Sequence, residues 1–208
     1  MERLRGGAGP LFSDSGPGAS RLVRVLSVDA PALVLGSTQR TSVVSVSEVD
    51  VVRRRSGGGA VLLRPDETVW VDVVVPAGDR LWTRDVGRSF EWVGAAWASA
   101  LASLGLGGLS VHRGAFVRTR WSGDVCFAGV GSGEVLAADG RKVVGMASHR
   151  TRDRALFQCA VPLTWDPDAY VRLLRLPASA AADLAAATAP VVGVRGDDLV
   201  AAFLASLP

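Results

Sequence analysis

The sequence predicts a single domain of the α+β (mixed α/β) class, in which strands and helices are mixed along the chain. Residues 69–75 are almost all β-branched, as in a strand buried on both faces. Residues 85–104 carry apolar side chains at spacings of three and four, which is the pattern of an amphipathic helix. Asp139-Gly140, which lies between two apolar runs, is a strong signal for a two-residue hairpin turn. The chain has 208 residues, of which 49% are hydrophobic, so it can form one domain with a substantial core.

Composition and charge argue against several classes of partner. The formal net charge is +3 and, apart from residues 53–55, the arginines are spread along the chain, unlike the clustered basic and aromatic residues of a nucleic-acid-binding protein. No apolar run approaches the ~20 residues of a membrane span, and the N-terminus has no apolar core for a signal peptide. We therefore expect neither nucleic acid nor a membrane as partner. Cys126 and Cys159 could pair, but two cysteines in such a chain indicate a reduced, cytoplasmic protein.

The first part of the chain is predicted to contain an arm and several strands. Residues 1–20 are rich in glycine, serine and proline, so we expect a flexible N-terminal arm before a single folded domain, residues 21–208. Apolar alternation predicts a strand in residues 21–28, and a short buried strand follows in residues 32–35. Residues 41–52 fit either a strand or the start of a short helix.

In the middle of the chain, the sequence predicts a partner for a buried carboxylate and the two ends of a long helix. Asp72 interrupts the buried strand, and a carboxylate there needs a partner. We expect it to pair with an arginine, although it could instead hold a metal-bound nucleotide or the amine of a substrate. In the helix that follows, Asp85 is expected to be the N-cap, and Gly105 stands where a C-cap glycine belongs. The apolar stripe between them, which includes Val86 and Phe90, is interpreted as core packing.

The second half is predicted to consist of strands followed by helices. The apolar runs indicate strand segments at residues 126–129, 134–138, 141–148 and 154–161. Helices are expected at residues 166–176, 178–187 and 197–207. Asp197 is expected to cap the last helix.

The glycine-rich stretch is Arg53-Arg54-Arg55-Ser56-Gly57-Gly58-Gly59, followed by an apolar run from Ala60. Glycines let backbone N–H groups approach an anion closely, and arginine offers a planar fork of donors to phosphate or carboxylate. The stretch therefore fits a cradle for a phosphorylated small molecule. It also fits a tight turn whose arginines lie in water. No Gly-Lys-Ser/Thr closes it, so the P-loop signature of nucleoside triphosphatases is absent.

A second motif surrounds the Asp139-Gly140 hairpin. The turn fixes where Lys142 emerges, and Gly145 lacks a side chain that would keep a ligand from lying against the strand. A lysine fixed on a strand could stabilise the negative charge that forms when a carboxylate attacks phosphorus or when an acyl group leaves it. The alternative is a hairpin lysine in solvent.

Together the two motifs resemble the catalytic core of the biotin/lipoate protein ligase superfamily, and lipoate–protein ligases more closely. The first is Arg-Arg-Ser-Gly-Gly-Gly-Ala-Val at residues 54–61, and the second is Asp-Gly-Arg-Lys-Val-Val-Gly-Met-Ala-Ser at residues 139–148. Residues 31–39 also resemble the stretch that precedes the glycine-rich loop of that family. The resemblance covers roughly residues 23–167.

This resemblance implies a central mixed or antiparallel sheet flanked by helices, with an elongated pocket for a lipoyl or medium-chain acyl group. It implies ATP and Mg²⁺, with lipoate or octanoate as the substrate that is activated as an acyl-adenylate. The acyl group would pass to a lysine on the lipoyl carrier domain of a 2-oxoacid dehydrogenase or on the H protein of glycine cleavage. Lys142 would be the catalytic residue. The residues that bind substrate and nucleotide would be Arg54, Arg55, Ser56, Gly57, Gly58, Gly59, Ala60, Gly145, Met146, Ala147 and Ser148.

The sequence also departs from the family pattern. The N-terminal helix of the family core is not predicted, and we expect no C-terminal accessory domain. Gln158-Cys159-Ala160 stands where Gln-His-Gly is common in the family. The two histidines, His112 and His149, form no metal-binding pattern, so no protein-bound metal is expected.

Cys126 suggests a different reaction. The string Cys126-Phe127-Ala128, with Glu134 and Lys142 downstream, resembles the cysteine-type octanoyltransferases, in which a thiolate takes the acyl group as a thioester and no ATP is used. A buried structural cysteine is the other interpretation. The triple glycine favours the ligase, because the transferases tend to carry a bulkier residue at the third position. A protein that binds lipoate without transferring it is a third hypothesis.

Overall fold

The computed structural model describes residues 1–13, 20–41, 44 and 48–208. Within them the strands are β1 (Glu2–Gly6), β2 (Leu22–Val28), β3 (Ala32–Leu35), β4 (Asp50–Arg53), β5 (Val61–Leu63), β6 (Thr68–Pro76), β7 (Ser110–Val111), β8 (Val135–Leu136), β9 (Lys142–Arg150) and β10 (Arg154–Pro162). The helices are α1 (Ala8–Ser13), α2 (Glu91–Ser103), α3 (Pro167–Leu173), α4 (Ala180–Ala187) and α5 (Gly196–Ala205). Short 3₁₀ turns occupy Arg88–Phe90 and Cys126–Ala128.

The described strands form two sheets. Seven of them make a large sheet in the order β1-β2-β6-β10-β9-β8-β7, and β4, β3 and β5 make a smaller one. The large sheet is antiparallel except at one edge, where β1 pairs in parallel with β2. The α+β class and the mixed, largely antiparallel sheet are confirmed. Among the described residues, no helix combines the length and apolar character that a membrane crossing needs.

The central strands of the large sheet are covered on both faces, which explains their nearly continuous apolar sequence. On one face, alternate valines of β6 join a core cluster completed by α2 and α5, in which the rings of Trp97 and Phe203 stack with 3.9 Å between centroids. On the other face, Trp70 meets Phe12 edge-on at 4.9 Å. Buried residues of β3 and β5 belong to this second cluster, so the small sheet packs on that face.

The N-terminal residues are not the predicted flexible arm. β1 extends the large sheet beside β2, and α1 buries Leu11 and Phe12. The prediction was wrong for residues 2–13 because their few apolar side chains stand between glycines and a proline, so they showed no clear period. The rest of the predicted arm includes residues 14–19, which lie outside the described residues.

The main helix begins later than predicted. Asp85 caps the turn before it, since its Oδ1 accepts from the backbone N–H of Arg88 at 3.0 Å. The sequence placed Val86 in the apolar stripe of the helix, but this residue is 52% exposed and lies before the first helical turn. At the other end, Gly105 has a φ of +90° and its N–H donates to the carbonyl of Ala102 at 3.0 Å, which confirms the C-cap glycine.

The hairpin at Asp139-Gly140 is confirmed, although its loop has three residues and not two. The N–H of Ala137 donates to the carbonyl of Arg141 at 2.9 Å, and Gly140 has a φ of +84°. The strand segment predicted at residues 126–129 is wrong, because Cys126–Ala128 form a 3₁₀ turn.

Two further predictions of local structure have different outcomes. Asp197 does not cap α5, because its carboxylate binds Arg3 of β1 at 2.8 Å and the N-cap side chain makes no capping bond. Within residues 41–52, the described part ends in β4, which supports the strand interpretation there. The rest of that prediction falls partly on residues 42–43 and 45–47, outside the described residues.

Candidate active site

The glycine-rich loop joins β4 to β5 and is built around the buried guanidinium of Arg54. This side chain donates to the carbonyls of Gly57 at 2.6 Å and Gly59 at 2.9 Å, and to the carbonyl of Val34 on β3 at 3.0 Å. Its relative exposure is 2%. Arg54 therefore shapes the loop from inside, and these donors are already used within the protein.

Two glycines of this loop are required by its geometry. Gly58 has a φ of +93°, which glycine adopts without steric cost. A Cβ atom on Gly59 would lie 2.5 Å from the carbonyl carbon of Val125, the residue before the 3₁₀ turn. The next pair is hydrogen-bonded, since the N–H of Cys126 donates to the carbonyl of Ala60 at 3.0 Å. The loop therefore lies directly against the turn that carries Cys126.

A chain of buried polar side chains anchors the loop to the large sheet. Ser56 Oγ donates to Gln158 Oε1 on β10 at 2.7 Å, and Gln158 Nε2 donates to Asp72 Oδ1 on β6 at 3.3 Å. Asp72 also accepts from Arg24 Nη2 at 3.2 Å and from Trp70 Nε1 at 2.9 Å. Burial raises the pKa of the Asp72 carboxyl, and these donors oppose the rise. The predicted pairing of Asp72 with an arginine is confirmed.

Lys142 is the first residue of β9, and its relative exposure is 1%. Its Nζ donates to the backbone carbonyl of Cys126 at 2.7 Å and to Glu134 Oε2 at 2.8 Å. The hairpin produces this pair because Glu134 immediately precedes β8, the strand that pairs with β9. The alternative of a hairpin lysine in solvent is therefore wrong.

The glycine loop and Lys142 line the same cavity, whose volume is about 310 Å³. Met146, Ala147 and Ser148 of β9 also line it, as does Cys126. The apolar part of its lining comes from Val86, Phe90, Phe116 and Met146. A larger cavity of about 470 Å³ lies between β2 and the start of α5, and none of the predicted site residues lines it.

Other residues of the predicted cradle do not line the 310 Å³ cavity. Arg54, Ser56 and Ala60 are buried behind the glycine loop. Arg55 is exposed, and its Nη2 donates to the carbonyl of Ser13 at 3.1 Å. The sequence could not separate these neighbours, because the course of the loop, and with it the direction of each side chain, depends on tertiary contacts.

Gly145 has a role different from the one predicted. A Cβ atom there would lie 3.0 Å from Cζ of Phe127, so the missing side chain makes room for this ring. The ring centroid in turn lies 5.3 Å from Nζ of Lys142. Gly145 therefore makes room for an aromatic ring beside Lys142, and it is not among the residues that line the 310 Å³ cavity.

Several of the residues that line the 310 Å³ cavity were not identified from the sequence as part of the site. Phe90 was interpreted as a core position of the helix, and Phe116 was not singled out. A Cβ atom on Gly129 would lie 2.6 Å from Cζ of Phe116, so a glycine marks the place where this ring packs. Such a signal becomes informative only when the two residues are known to be neighbours.

The two cysteines differ in accessibility. Cys126 is partly exposed and lines the cavity, whereas Cys159 is buried in the core, and both are free thiols. Burial raises the pKa of the Cys159 thiol to about 12. Of these two described thiols, Cys126 is the one that a ligand in the cavity could reach.

Comparisons with known proteins support the family resemblance that the two motifs indicate. The chain matches the model of the lipoyl protein ligase A/B catalytic domain over residues 11–192. No curated protein matches the sequence closely enough to count as a relative.

Solved structures share the fold at low sequence identity. A bi-partite lipoate protein ligase from Thermoplasma acidophilum, described together with its E2 lipoyl domain, is 17% identical, with a TM-score of 0.73 over 99% of this chain and 80% of that chain. A lipoate-protein ligase A bound with ATP is 19% identical, with a TM-score of 0.69 over 94% and 74%. A further T. acidophilum structure, with bound lipoic acid, is 18% identical, with a TM-score of 0.69 over 94% and 74%.

The mixed sheet is shared with these structural neighbours, so the chain has the fold of lipoate–protein ligase catalytic domains. The family match covers most of the chain. The chain therefore belongs to the lipoyl protein ligase A/B catalytic domain family, which confirms the resemblance stated from its motifs.

Proposed function

We propose that this protein is a lipoate–protein ligase-type enzyme. It activates lipoate or another medium-chain acyl carboxylate with ATP and transfers the acyl group to a lysine of a carrier domain. The observation that carries this proposal is the cavity lined by both the glycine loop, Gly57 to Gly59, and the buried amine of Lys142. Family membership supports it, and so do the structural neighbours with bound ATP and with bound lipoic acid.

The first half-reaction must bring two anions together, the acyl carboxylate and the α-phosphate of ATP. Lys142 supplies a positive charge that is fixed before either one binds, and this lowers their repulsion. The glycine loop lets phosphate oxygens approach the backbone, because no side chains intervene. Holding the reacting atoms in line also removes much of the entropic cost of their encounter.

The proposed reaction has two steps, adenylation of the acyl carboxylate and transfer of the acyl group. A carboxylate oxygen attacks the α-phosphorus, the bond from phosphorus to the pyrophosphate oxygen breaks, and pyrophosphate leaves with the electron pair. The neutral amine of a carrier lysine then attacks the acyl carbon, an amide bond forms, and AMP and a proton are released. In both steps Lys142 is placed to stabilise negative charge on the oxygens around the reacting centre.

The acyl chain is proposed to lie against the apolar part of the cavity. Val86, Phe90, Phe116 and Met146 provide this surface, and all four line the same space as Lys142. Apolar walls with a few polar groups that orient the ligand are the usual composition of a small-molecule site.

Mg²⁺ is proposed to bind only as the complex with the phosphates of ATP. Among the described residues, no group of three or more His, Cys, Asp or Glu side chains is placed to hold a metal ion. Glu134 lines the cavity, but its carboxylate already accepts from Lys142, Gly131 and Met146. These residues do not fit a resident Mg²⁺ site, and no step of the protein's own chemistry is assigned to one.

The proposed carrier is a lipoyl domain of a 2-oxoacid dehydrogenase or the H protein of glycine cleavage. The T. acidophilum ligase described with its E2 lipoyl domain supports the first of these. Transfer would be seen as the mass of one lipoyl group added to a carrier lysine when ATP, lipoate and carrier are all present.

The adenylation step is tested by lipoate-dependent exchange of radioactive pyrophosphate into ATP. We expect the wild-type protein to catalyse this exchange and Lys142→Ala to lose it by about 100-fold or more, because one preorganised charge can contribute this much. Arg141→Gln is the matched control. Arg141 is the neighbour of Lys142 in sequence, and its side chain is partly exposed and bound to Asp139. Exchange that survives in Lys142→Ala, or that is absent from the wild type, would contradict the proposal.

A transferase reaction through Cys126 is the second candidate function. The observation that favours it is that the partly exposed Cys126 lines the same cavity as Lys142. In that reaction the thiolate attacks an acyl thioester and the carrier thiol leaves, so ATP is not consumed. Incubation with octanoyl-carrier protein should then add one octanoyl group to Cys126 by intact mass. An unmodified thiol, with full lipoyl transfer by Cys126→Ala, would exclude it.

A further inference from the structure

Glu134 is a buried carboxylate in the wall of the cavity, and each of its described contacts is to an N–H donor. Its relative exposure is 3%. Oε2 accepts from Nζ of Lys142 at 2.8 Å and from the backbone N–H of Gly131 at 2.7 Å. Oε1 accepts from the backbone N–H of Met146 at 2.8 Å. One side chain therefore joins the lysine, the loop before β8 and the middle of β9.

The ion pair between these two residues has no solvent to stabilise either charge. The side chains of Lys142 and Glu134 are 1% and 3% exposed. A buried ion is tolerated when it is paired and its remaining donors or acceptors are satisfied, and removal of one partner is costly. The buried amine of Lys142 therefore depends on Glu134 as its ionic partner.

The hydrogen-bond count at Lys142 leaves one donor for a ligand. An ammonium has three N–H donors. One is given to Glu134 and one to the carbonyl of Cys126. Because these two acceptors come from different segments, the 3₁₀ turn at Cys126 and the residue before β8, they fix the direction of Nζ. The remaining N–H can serve the cavity that Lys142 lines.

We propose that Glu134 is the positioning residue for Lys142: as the buried ionic partner of the amine, it holds Nζ aimed at the carboxylate of the acyl substrate. This inference rests on the proposed function of the cavity. The position of Glu134 is itself fixed, because the loop before β8 packs on α2, where a Cβ atom on Gly94 would lie 2.0 Å from the carbonyl oxygen of Gly133. The pair is therefore rigid before the substrate arrives, as preorganised charge stabilisation requires.

Glu134→Gln tests this role, because the amide has the size of the carboxylate but no charge. Binding of lipoate and of lipoamide is measured by calorimetry, since lipoamide has the same chain without the anionic group. We expect lipoate to bind at least about tenfold more weakly to the variant, the effect of losing a hydrogen bond to a charged group. Lipoamide affinity should stay within about twofold of wild type.

Asp139→Asn is the matched control, because this carboxylate lies on the same hairpin but is exposed and bound to Arg141. Both ligands should bind this control as they bind the wild type. If Glu134→Gln does not fold, Glu134→Asp is measured in its place. This variant keeps the negative charge but moves it away from Lys142 by the length of one methylene group. This second variant should show a smaller, still selective loss of lipoate binding.

Two results would overturn the inference. Unchanged or tighter lipoate binding by Glu134→Gln would mean that the carboxylate competes with the substrate or has no part in its recognition. An equal loss for lipoate and lipoamide would mean a merely structural role. Failure of the wild type to bind either ligand would instead contradict the proposed function itself, so the two failures are distinguishable.

Discussion

At the scale of single residues, Arg54 and Arg55 show how far residue type alone can predict a site. Both were expected to bind the nucleotide, yet Arg54 is buried and holds loop carbonyls, whereas Arg55 is exposed beside Ser13. That Gly58 and Lys142 line one cavity could be expected, because a triple glycine and a lysine after a hairpin are recognisable motifs in the sequence. The direction in which Arg54 points depends on the strands around it, and no local pattern encodes that direction.

Ser56 connects Arg54 to the large sheet through two hydrogen bonds, and replacement of its side chain should remove both. Ser56→Ala leaves Nε of Arg54 and Oε1 of Gln158 without these partners, both in buried positions. We expect the free energy of unfolding in urea to fall by about 1–3 kcal/mol. The rate of pyrophosphate exchange should also fall, because the glycine loop is less firmly held in place. Ser103→Ala at the exposed end of α2 is the control, and equal stability of the two variants would contradict this role.

At the scale of elements, turn chemistry was more informative than helix periodicity. The glycine of the Asp139-Gly140 hairpin placed β8 and β9, and Gly105 placed the end of α2. The start of α2 was misplaced, because Val86 continues the apolar spacing although it lines the cavity before the helix begins. An apolar residue that contacts a ligand pocket looks the same in sequence as one that faces the core.

The contact between α2 and the loop before β8 gives a prediction at this scale. Gly94→Ala would place a Cβ atom 2.0 Å from the carbonyl oxygen of Gly133, so the loop that carries Glu134 must move. Alanine favours a helix by up to ~1 kcal/mol over glycine, but overpacking typically costs about 1–3 kcal/mol. We expect a net loss of stability on urea unfolding and slower pyrophosphate exchange.

Ser99→Ala is the control for that variant, since Ser99 lies on the exposed side of the same helix. Its stability should be close to that of the wild type. A Gly94→Ala variant as stable and as active as this control would show that α2 does not hold the loop in place.

At the scale of the whole molecule, the cavity forms where the glycine loop, which connects two strands of the small sheet, meets the hairpin of the large one. The loop comes after β4, Lys142 begins β9, and the turn at Cys126 contacts both through hydrogen bonds. The sequence identified both motifs and the family, so their meeting could be expected from the resemblance. It did not show that residues 2–13 complete the sheet, because a short apolar segment between glycines gives no period to follow.

We propose that an acyl-adenylate binds between the glycine loop and Lys142. A crystal structure of the protein with a non-hydrolysable sulfamoyl analogue of lipoyl-adenylate would test this binding mode most directly. We expect the sulfamoyl group to lie against the backbone of Gly57 to Gly59, with Nζ of Lys142 within hydrogen-bond distance of its oxygens and the acyl chain beside Phe90 and Met146. An analogue bound at another site, or one that leaves Lys142 without contact, would contradict it.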